Sequence, residues 1–236
     1  MIPSKSRTVV VASVLALCAF AAGDALGDTA WEELSDADGI KVWRKDIDGS
    51  PIVAMRGRGT VDATVAKVAS VIYDTPRCPE WVSDLSASRV VRLVSPGERV
   101  VYQRVSTPWP LDDREFVFVA KASFTPSTGE FLIDMASVED ETVARTDGVT
   151  RGRLLQSSFS LAPLEGQKTI LEVEVQADPM GSIPKSIVNW AQKSWPRETI
   201  EAIRRQVEKP DVKLLDTVAA VMSGTAAPVG SLTQPR

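Results

Sequence analysis

Carboxylates are the side chains of this sequence that come closest to a reactive constellation. Glu172 and Glu174 stand two residues apart in TILEVEVQAD, and Asp112-Asp113 and Glu139-Asp140-Glu141 form short acidic runs. In a strand, residues two apart share a face. The glutamates therefore lie together, either on the wet face or turned inward as a polar anchor for a ligand. The acidic runs could hold a cation, but adjacent acids beside a turn read first as a solvated loop.

Nothing else completes a reactive centre. The 236 residues contain no histidine, which excludes Ser-His-Asp and Cys-His machinery and removes the commonest general base and metal ligand. The 2 cysteines, Cys18 and Cys78, cannot build a zinc cluster. Cys78 lies between Pro76 and Pro79 with no base beside it and reads as a small packed residue. Gly57-Arg58-Gly59 looks like part of a phosphate loop but lacks the downstream Gly-Lys-Ser/Thr and sits in a strand pattern. Tyr73 and Tyr102, the only phenols, belong to no recognisable constellation. The expectation is a protein that is not an enzyme and needs no cofactor and no metal.

The elements around these residues begin after a leader. Lys5 and Arg7 precede an almost unbroken apolar run from Thr8 to Phe20, and Ala19-Phe20-Ala21 offers a cleavage pattern. Residues 1–23 thus read as a secretory signal peptide, shorter than the roughly 18 or more apolar residues a spanning helix needs. Leu17 stands where a lipoprotein signal would place a small residue before Cys18. The expected localisation is exported, either periplasmic or extracellular. Cleavage leaves Cys78 alone, so no internal disulfide can hold the fold. It also removes Lys5 and Arg7, taking the net charge from -4 to -6. No basic block rises above Arg204-Arg205, so nucleic acid is not an expected partner.

Residues 24–209 read as one domain and 210–236 as a tail, partly disordered. GIKVWRKDI and PIVAMRGRGTVDA alternate as a strand hairpin. DATVAKVASVIYDT changes to helical period, with Asp62 as the expected N-cap. Six strand-like stretches follow between Arg89 and Asp178, separated by turns such as Ser95-Pro96-Gly97. A single long helix is expected from Pro184 to about Glu208. The fold class is α+β: a large antiparallel sheet with one terminal helix left to cover its apolar face. Whether side chains fill the space between them stays open at this level.

Two stretches carry a resemblance. VVYQRVSTPWPLDDREFVFVAKAS (residues 100–123) is similar to the strand, Trp-Pro loop and Arg-Asp/Glu-Phe-Val strand of START domains, the lipid-transfer domains related to the steroidogenic acute regulatory protein. DPMGSIPKSIVNWAQKSWPRETIEAIRRQVE (residues 178–208) resembles the way those domains begin their C-terminal helix, and EWVSD at 80–84 matches the place of a Trp. The resemblance implies a helix-grip fold, a curved antiparallel sheet wrapped around a long C-terminal helix with an internal hydrophobic cavity. It implies that one lipid or sterol-like molecule is bound there and carried between membranes, with transient membrane contact, by what is expected to be a monomer. Phospholipid, sterol or another hydrophobic ligand would each serve.

Carried over residue by residue, the resemblance assigns the cavity and lid to Trp81, Gln103, Phe116, Phe118, Phe159, Met180, Ile183, Ile187, Ala191 and Trp195, and the membrane gate to Trp109 and Pro184. The row Ile187, Ala191, Trp195, Thr199, Ile203 and Val207 is expected to look down on the sheet. Pro196 either bends that helix or divides it. Some sterol-binding members place an inward arginine where this chain has Ala120, which leaves selectivity to shape and to Gln103, Gln156 or Ser158. Two other readings use the same elements: an interaction domain with a filled core, and a cyclase/aromatase-like enzyme of the same superfamily.

Overall fold

The computed structural model describes residues 30–224; the signal peptide expected at 1–23 and the end of the tail lie outside the described residues. Ten strands form one sheet. β1 (Glu32–Ala37), β2 (Ile40–Lys45) and β3 (Ala54–Val61) precede α1 (Val65–Tyr73) and a short 3-10 helix (Thr75–Glu80). β4 (Leu85–Ser95), β5 (Glu98–Val105), β6 (Asp113–Thr125), β7 (Glu130–Ser137), β8 (Val149–Arg151), β9 (Arg153–Leu164) and β10 (Lys168–Asp178) follow. The spatial order is β1-β2-β3-β10-β9-β7-β6-β5-β4, with the short β8 parallel to β6. β1 and β8 are additions to the strands expected from alternation. β1 hides because its residues are exposed or half-buried, which leaves no clean apolar period.

α1 is capped by Thr64, whose Oγ1 accepts from Lys67 N at 3.3 Å, and not by Asp62. Val68 and Ala69 of α1 are fully buried against the sheet's concave side. The expected single C-terminal helix is two. α2 (Lys185–Ala191) ends at Gln192, and α3 (Trp195–Val207) begins three residues later. Pro196 is the reason: it stands in the first turn of α3, where its missing N–H leaves no helical bond unmade. Beyond Val207 the chain turns back, and α4 (Asp216–Met222) packs on α1 and β6 with Val218 buried.

α3 grips the sheet through two glycines of β3. A Cβ on Gly57 would stand 2.6 Å from Pro196 Cβ, and one on Gly59 3.2 Å from Ile200 Cγ2. The Gly-Arg-Gly stretch is therefore a seat for a helix, with Arg56 and Arg58 turned to the opposite face beside Glu172 and Glu174. Around α3 lie Phe131, Leu161, Leu171, Ile200 and Ile203, all at 0% exposure. Each such side chain contributes about 1.5–3 kcal/mol by leaving water, so this end of the grip is the main stabilising core.

Candidate functional site

The concave face changes character along its length. Strand pairing places Gln103 opposite Phe116 and Val101 opposite Phe118. Alternation turns Arg114, Phe116, Phe118 and Ala120 to that same face. Phe118 and Phe159 are 5% exposed. Further toward the α2 end, Phe116, Leu154, Ala177, Trp81 and Trp195 pack against the core yet stay only half-buried. The concave face is thus dry beneath α3 and only partly shielded from water toward α2.

α2 is the cover at this end, and it is latched by polar contacts more than by packing. Val188 is its only buried residue. Asn189 Nδ2 donates to Pro51 O at 3.1 Å and its Oδ1 accepts from Val53 N at 3.2 Å. Lys185 Nζ pairs with Asp178 at 2.7 Å, and Gln192 Nε2 donates to Ala177 O at 2.7 Å. The outer side of α2 is apolar: Ile187 is 53% and Trp190 71% exposed.

The loop between β5 and β6 reaches the same end. The Arg114 guanidinium is buried and donates to Asp112 O of that loop and to Pro179 O of the turn before α2. Trp109, 92% exposed, forms a cis peptide with Pro110 at the loop's tip, with Leu111 and Met180 also exposed. No described helix is long and apolar enough to cross a membrane.

The sequence-predicted residues thus fall into two groups. Trp81, Gln103, Phe116, Phe118, Phe159 and Trp195 face the interior. Met180, Ile187, Ala191, Trp109 and Pro184 are exposed, with Ile183 half-buried between the groups. The continuous inward row through Ile187 and Ala191 does not form, because the break at Gln192–Ser194 resets the helical phase and Val188 points in instead. Glu172 and Glu174 are on the outer face, Glu174 accepting from Arg56 Nε at 2.7 Å, which removes the inward-carboxylate option. Gln156 is exposed, and Ser158, paired with Glu174, shares that outer face. Of the three lone polar groups, Gln103 alone faces in, its Nε2 donating to Ser88 Oγ at 3.3 Å.

An inward arginine is present after all, across the ladder. Arg99 pairs with Ala120, is 5% exposed, and lies over the Tyr73 ring with Cζ 3.4 Å from its centroid. It donates to Tyr73 O at 2.9 Å, at the last residue of α1, and to Thr75 Oγ1 at 3.4 Å, and it makes no ion pair among the described residues. The alternation of RVVYQ puts Arg99, Val101 and Gln103 on one face, a signal available in the sequence. Asn189 and Gln192 gave no such signal, since their partners lie far away along the chain. Beside Arg99, burial pushes the Cys78 thiol up to about 12, which keeps it an inert packed group.

Outside the sheet, Glu115 is 0% exposed and takes hydrogen bonds from Tyr102, Thr146 and Arg151. Burial works to raise its pKa, but the Thr146 and Arg151 contacts outweigh it and hold the carboxyl below its ordinary range. With every contact satisfied, this cluster fastens the 138–148 loop to the convex face.

The START domain family model matches residues 14–224. The chain belongs to the START domain family. A bacterial relative, an uncharacterized protein of Pseudomonas aeruginosa, is 26% identical over 205 residues, 86% of this chain and 99% of that one. The phosphatidylcholine transfer protein of Bos taurus is 24% identical over 180 residues, 75% of this chain and 84% of that one. The solved STAR-related lipid transfer protein of Xanthomonas axonopodis superposes with a TM-score of 0.68 at 25% identity, covering 76% of this chain and 99% of that one. The curved sheet and C-terminal helices are therefore the START helix-grip, and the α2 end is where its inward apolar side chains are least buried.

Proposed function

We propose that this START domain carries a single lipid, without chemistry, in the space between the α2 end of the concave face and α2 itself, and exchanges it at a membrane. The observation that supports this most directly is the contrast along one face: fully dry side chains under α3, half-buried apolar ones under α2. An acyl chain laid along Phe116, Phe118, Leu154 and Trp195 would gain about 0.8 kcal/mol per methylene buried. Trp81, Gln103, Phe159 and Ile183 complete the lining in this reading, and the outward Ile187 and Ala191 belong to the lid.

Exchange needs the cover to move. α2, with one buried residue and a latch of side-chain hydrogen bonds, is the element that can swing at lowest cost, hinged at Met180 and Pro184. Trp109, Leu111, Met180, Ile187 and Trp190 make an exposed apolar end suited to a bilayer interface. We propose further that residues 1–23 act as an export leader, so that this traffic runs outside the cytoplasm, in the periplasm or beyond. Native mass spectrometry of the mature protein from its own host, with organic extraction, tests the proposal. One bound lipid per chain is the expected result; an apo mass unchanged after incubation with mixed phospholipid and sterol vesicles would replace it with the filled-core reading.

A further inference from the structure

The turn that leads from β10 into α2 is held at three consecutive residues, each by a different side chain. Ala177 O accepts from Gln192 at the end of α2, the Asp178 carboxylate accepts from Lys185 at its start, and Pro179 O accepts from Arg114 Nε at 3.4 Å. Within the turn, Met180 and Gly181 both stand at positive φ, 58° and 76°, and Asp178 Oδ1 also accepts from Met180 N at 2.8 Å. A methionine persists in that left-handed region only where its surroundings over-determine it.

Two of the three ties come from α2 and its cap. Arg114 is the exception. It belongs to β6, is 5% exposed, and its guanidinium also donates to Asp112 O, at the last residue of the β5–β6 loop whose tip carries the exposed Trp109 and Leu111. Its Nη2 lies against Gly181, where a Cβ would stand 3.5 Å away. One buried guanidinium therefore joins the loop to the hinge. On the opposite strand face the same loop has a separate anchor: Asp113 Oδ2 accepts from Arg104 Nη2 at 2.7 Å, and its Oδ1 accepts from Thr107 N at 3.1 Å.

We infer that Arg114 couples the two moving parts: when the loop tip enters a bilayer, Asp112 O is drawn away, the guanidinium follows it and gives up Pro179 O, and the hinge of α2 is released. This deepens the lipid-carrier reading and rests on it. A buried guanidinium is costly to leave unpaired, so it keeps to whichever carbonyl stays in reach. Its planar fork holds acceptors on two elements at once, as a compact ammonium does not. Coupling of this kind is reciprocal. A seated loop frees α2 as much as an open α2 frees the loop, which ties opening to the membrane and keeps a bound lipid covered in transit.

The test reads hydrogen exchange over residues 185–191 of the mature chain, with α3 as internal control, with and without vesicles of dioleoylphosphatidylcholine and dioleoylphosphatidylglycerol. Asp113→Ala frees the loop from its outer anchor and removes no contact of the hinge. Without vesicles it should accelerate α2 exchange about fivefold when Arg114 is present and less than about twofold in Arg114→Met. Arg114→Met is itself expected to exchange about tenfold faster than wild type, the scale of one hydrogen bond from a charged group. Vesicles should accelerate wild-type α2 about tenfold and Arg114→Met less than about twofold, while both co-sediment alike. Urea midpoints accompany each variant, and Arg114→Lys replaces a methionine variant that does not fold: it keeps the charge, reaches one carbonyl at a time, and should lose the response to Asp113→Ala.

Equal acceleration by Asp113→Ala in both backgrounds, no acceleration in either, or a vesicle response that survives Arg114→Met overturns the coupling and leaves Arg114 a brace within the fold, with the carrier reading standing. Exchange that rises equally in α3 also overturns it, since Arg114→Met would then loosen the whole domain. Wild-type protein that binds no vesicles removes the trigger and overturns the coupling by a different route. Lipid loading is read separately by native mass spectrometry: wild-type protein that loads no lipid defeats the carrier reading itself, and the coupling loses its purpose with it.

Discussion

The α3 end and the α2 end of the concave face are built from the same kind of strand. β6 alternates with one phase from Arg114 to Phe124, and β9 and β10 run the whole length. What differs is the cover. α3 is long enough to present Thr199, Ile200, Ala202, Ile203, Gln206 and Val207 to the sheet, all buried, and β3 meets it with glycines so the backbones come close. α2 is 7 residues long and presents only Val188. A sheet's inward pattern thus decides which side chains face the interior, whereas the length and phase of the covering helix decide whether they are packed there.

That contrast breaks most visibly if core deletions cost the same at both ends. Ile200→Ala should lose about 2–5 kcal/mol, as expected of a cavity cut into a filled core. Phe116→Ala removes a larger side chain, yet with Phe116 already half-buried it should lose less than half as much. Urea denaturation of the two variants decides; equal losses would mean the α2 end is as full as the other.

A sharper version adds atoms. A Cβ at Gly57 would meet Pro196 Cβ at 2.6 Å, and one at Gly152 would meet the Phe116 ring at 2.4 Å. Judged by distance alone, Gly152→Ala is the worse change. Pro196 is a ring fixed in the first turn of a packed helix, whereas Phe116 is half-buried and, with the room beside it that the carrier proposal requires, can swing aside. Gly57→Ala should cost about 1–3 kcal/mol, the usual penalty of overpacking, and Gly152→Ala should cost less. The reverse order would sink the claim of room beside Phe116.

Much of this was legible in the sequence, and the limits have physical causes. Alternation located eight of the strands' positions because one face is wet and the other dry. It missed β1, whose exposed edge carries no such contrast, and it could not divide α2 from α3, since Ile187, Ala191 and Trp195 fit a helical row whether or not the helix is continuous. Pro196 held the answer, with two readings. At the site, strand phase put Phe116 and Phe118 on one face and the family resemblance turned that face inward, where the structure has both. The latch through Asn189 and Gln192 depends on neighbours distant in the chain, which one-dimensional spacing does not encode.

The latch makes the next prediction. Asn189→Ala removes both bonds to Pro51 O and Val53 N, together worth about 1–3 kcal/mol at about 0.5–1.5 kcal/mol per hydrogen bond. Its effect belongs to α2. Hydrogen exchange over residues 185–191 should accelerate while α3 stays protected; equal acceleration in both would show that the two helices open as one unit. Trp190→Ser and Trp109→Ser should change stability by no more than about 0.5 kcal/mol, as surface substitutions do, while weakening co-sedimentation with vesicles. Unchanged vesicle binding would place the membrane-facing end elsewhere.

Cys78 provides the finest probe, because it alters nothing covalently until it reacts. It is 5% exposed between the 3-10 helix and the β4–β5 wall, and its thiol titrates near 12 where an ordinary one has 9.0. A raised folded pKa means the neutral thiol is favoured by the fold. The stability this contributes is fully present below about pH 9 and is lost as pH rises toward about 12. The same three-unit gap leaves about a thousandfold less thiolate in the folded protein at a given pH below 9. Alkylation measured at pH 8 should therefore be slower than in urea by at least that factor, and slow equally in Asn189→Ala if α2 opens without disturbing the 3-10 helix. Fast alkylation in Asn189→Ala alone would mean that loosening the cover unpacks the opposite wall, so that the two walls of the site move together instead of one swinging against the other.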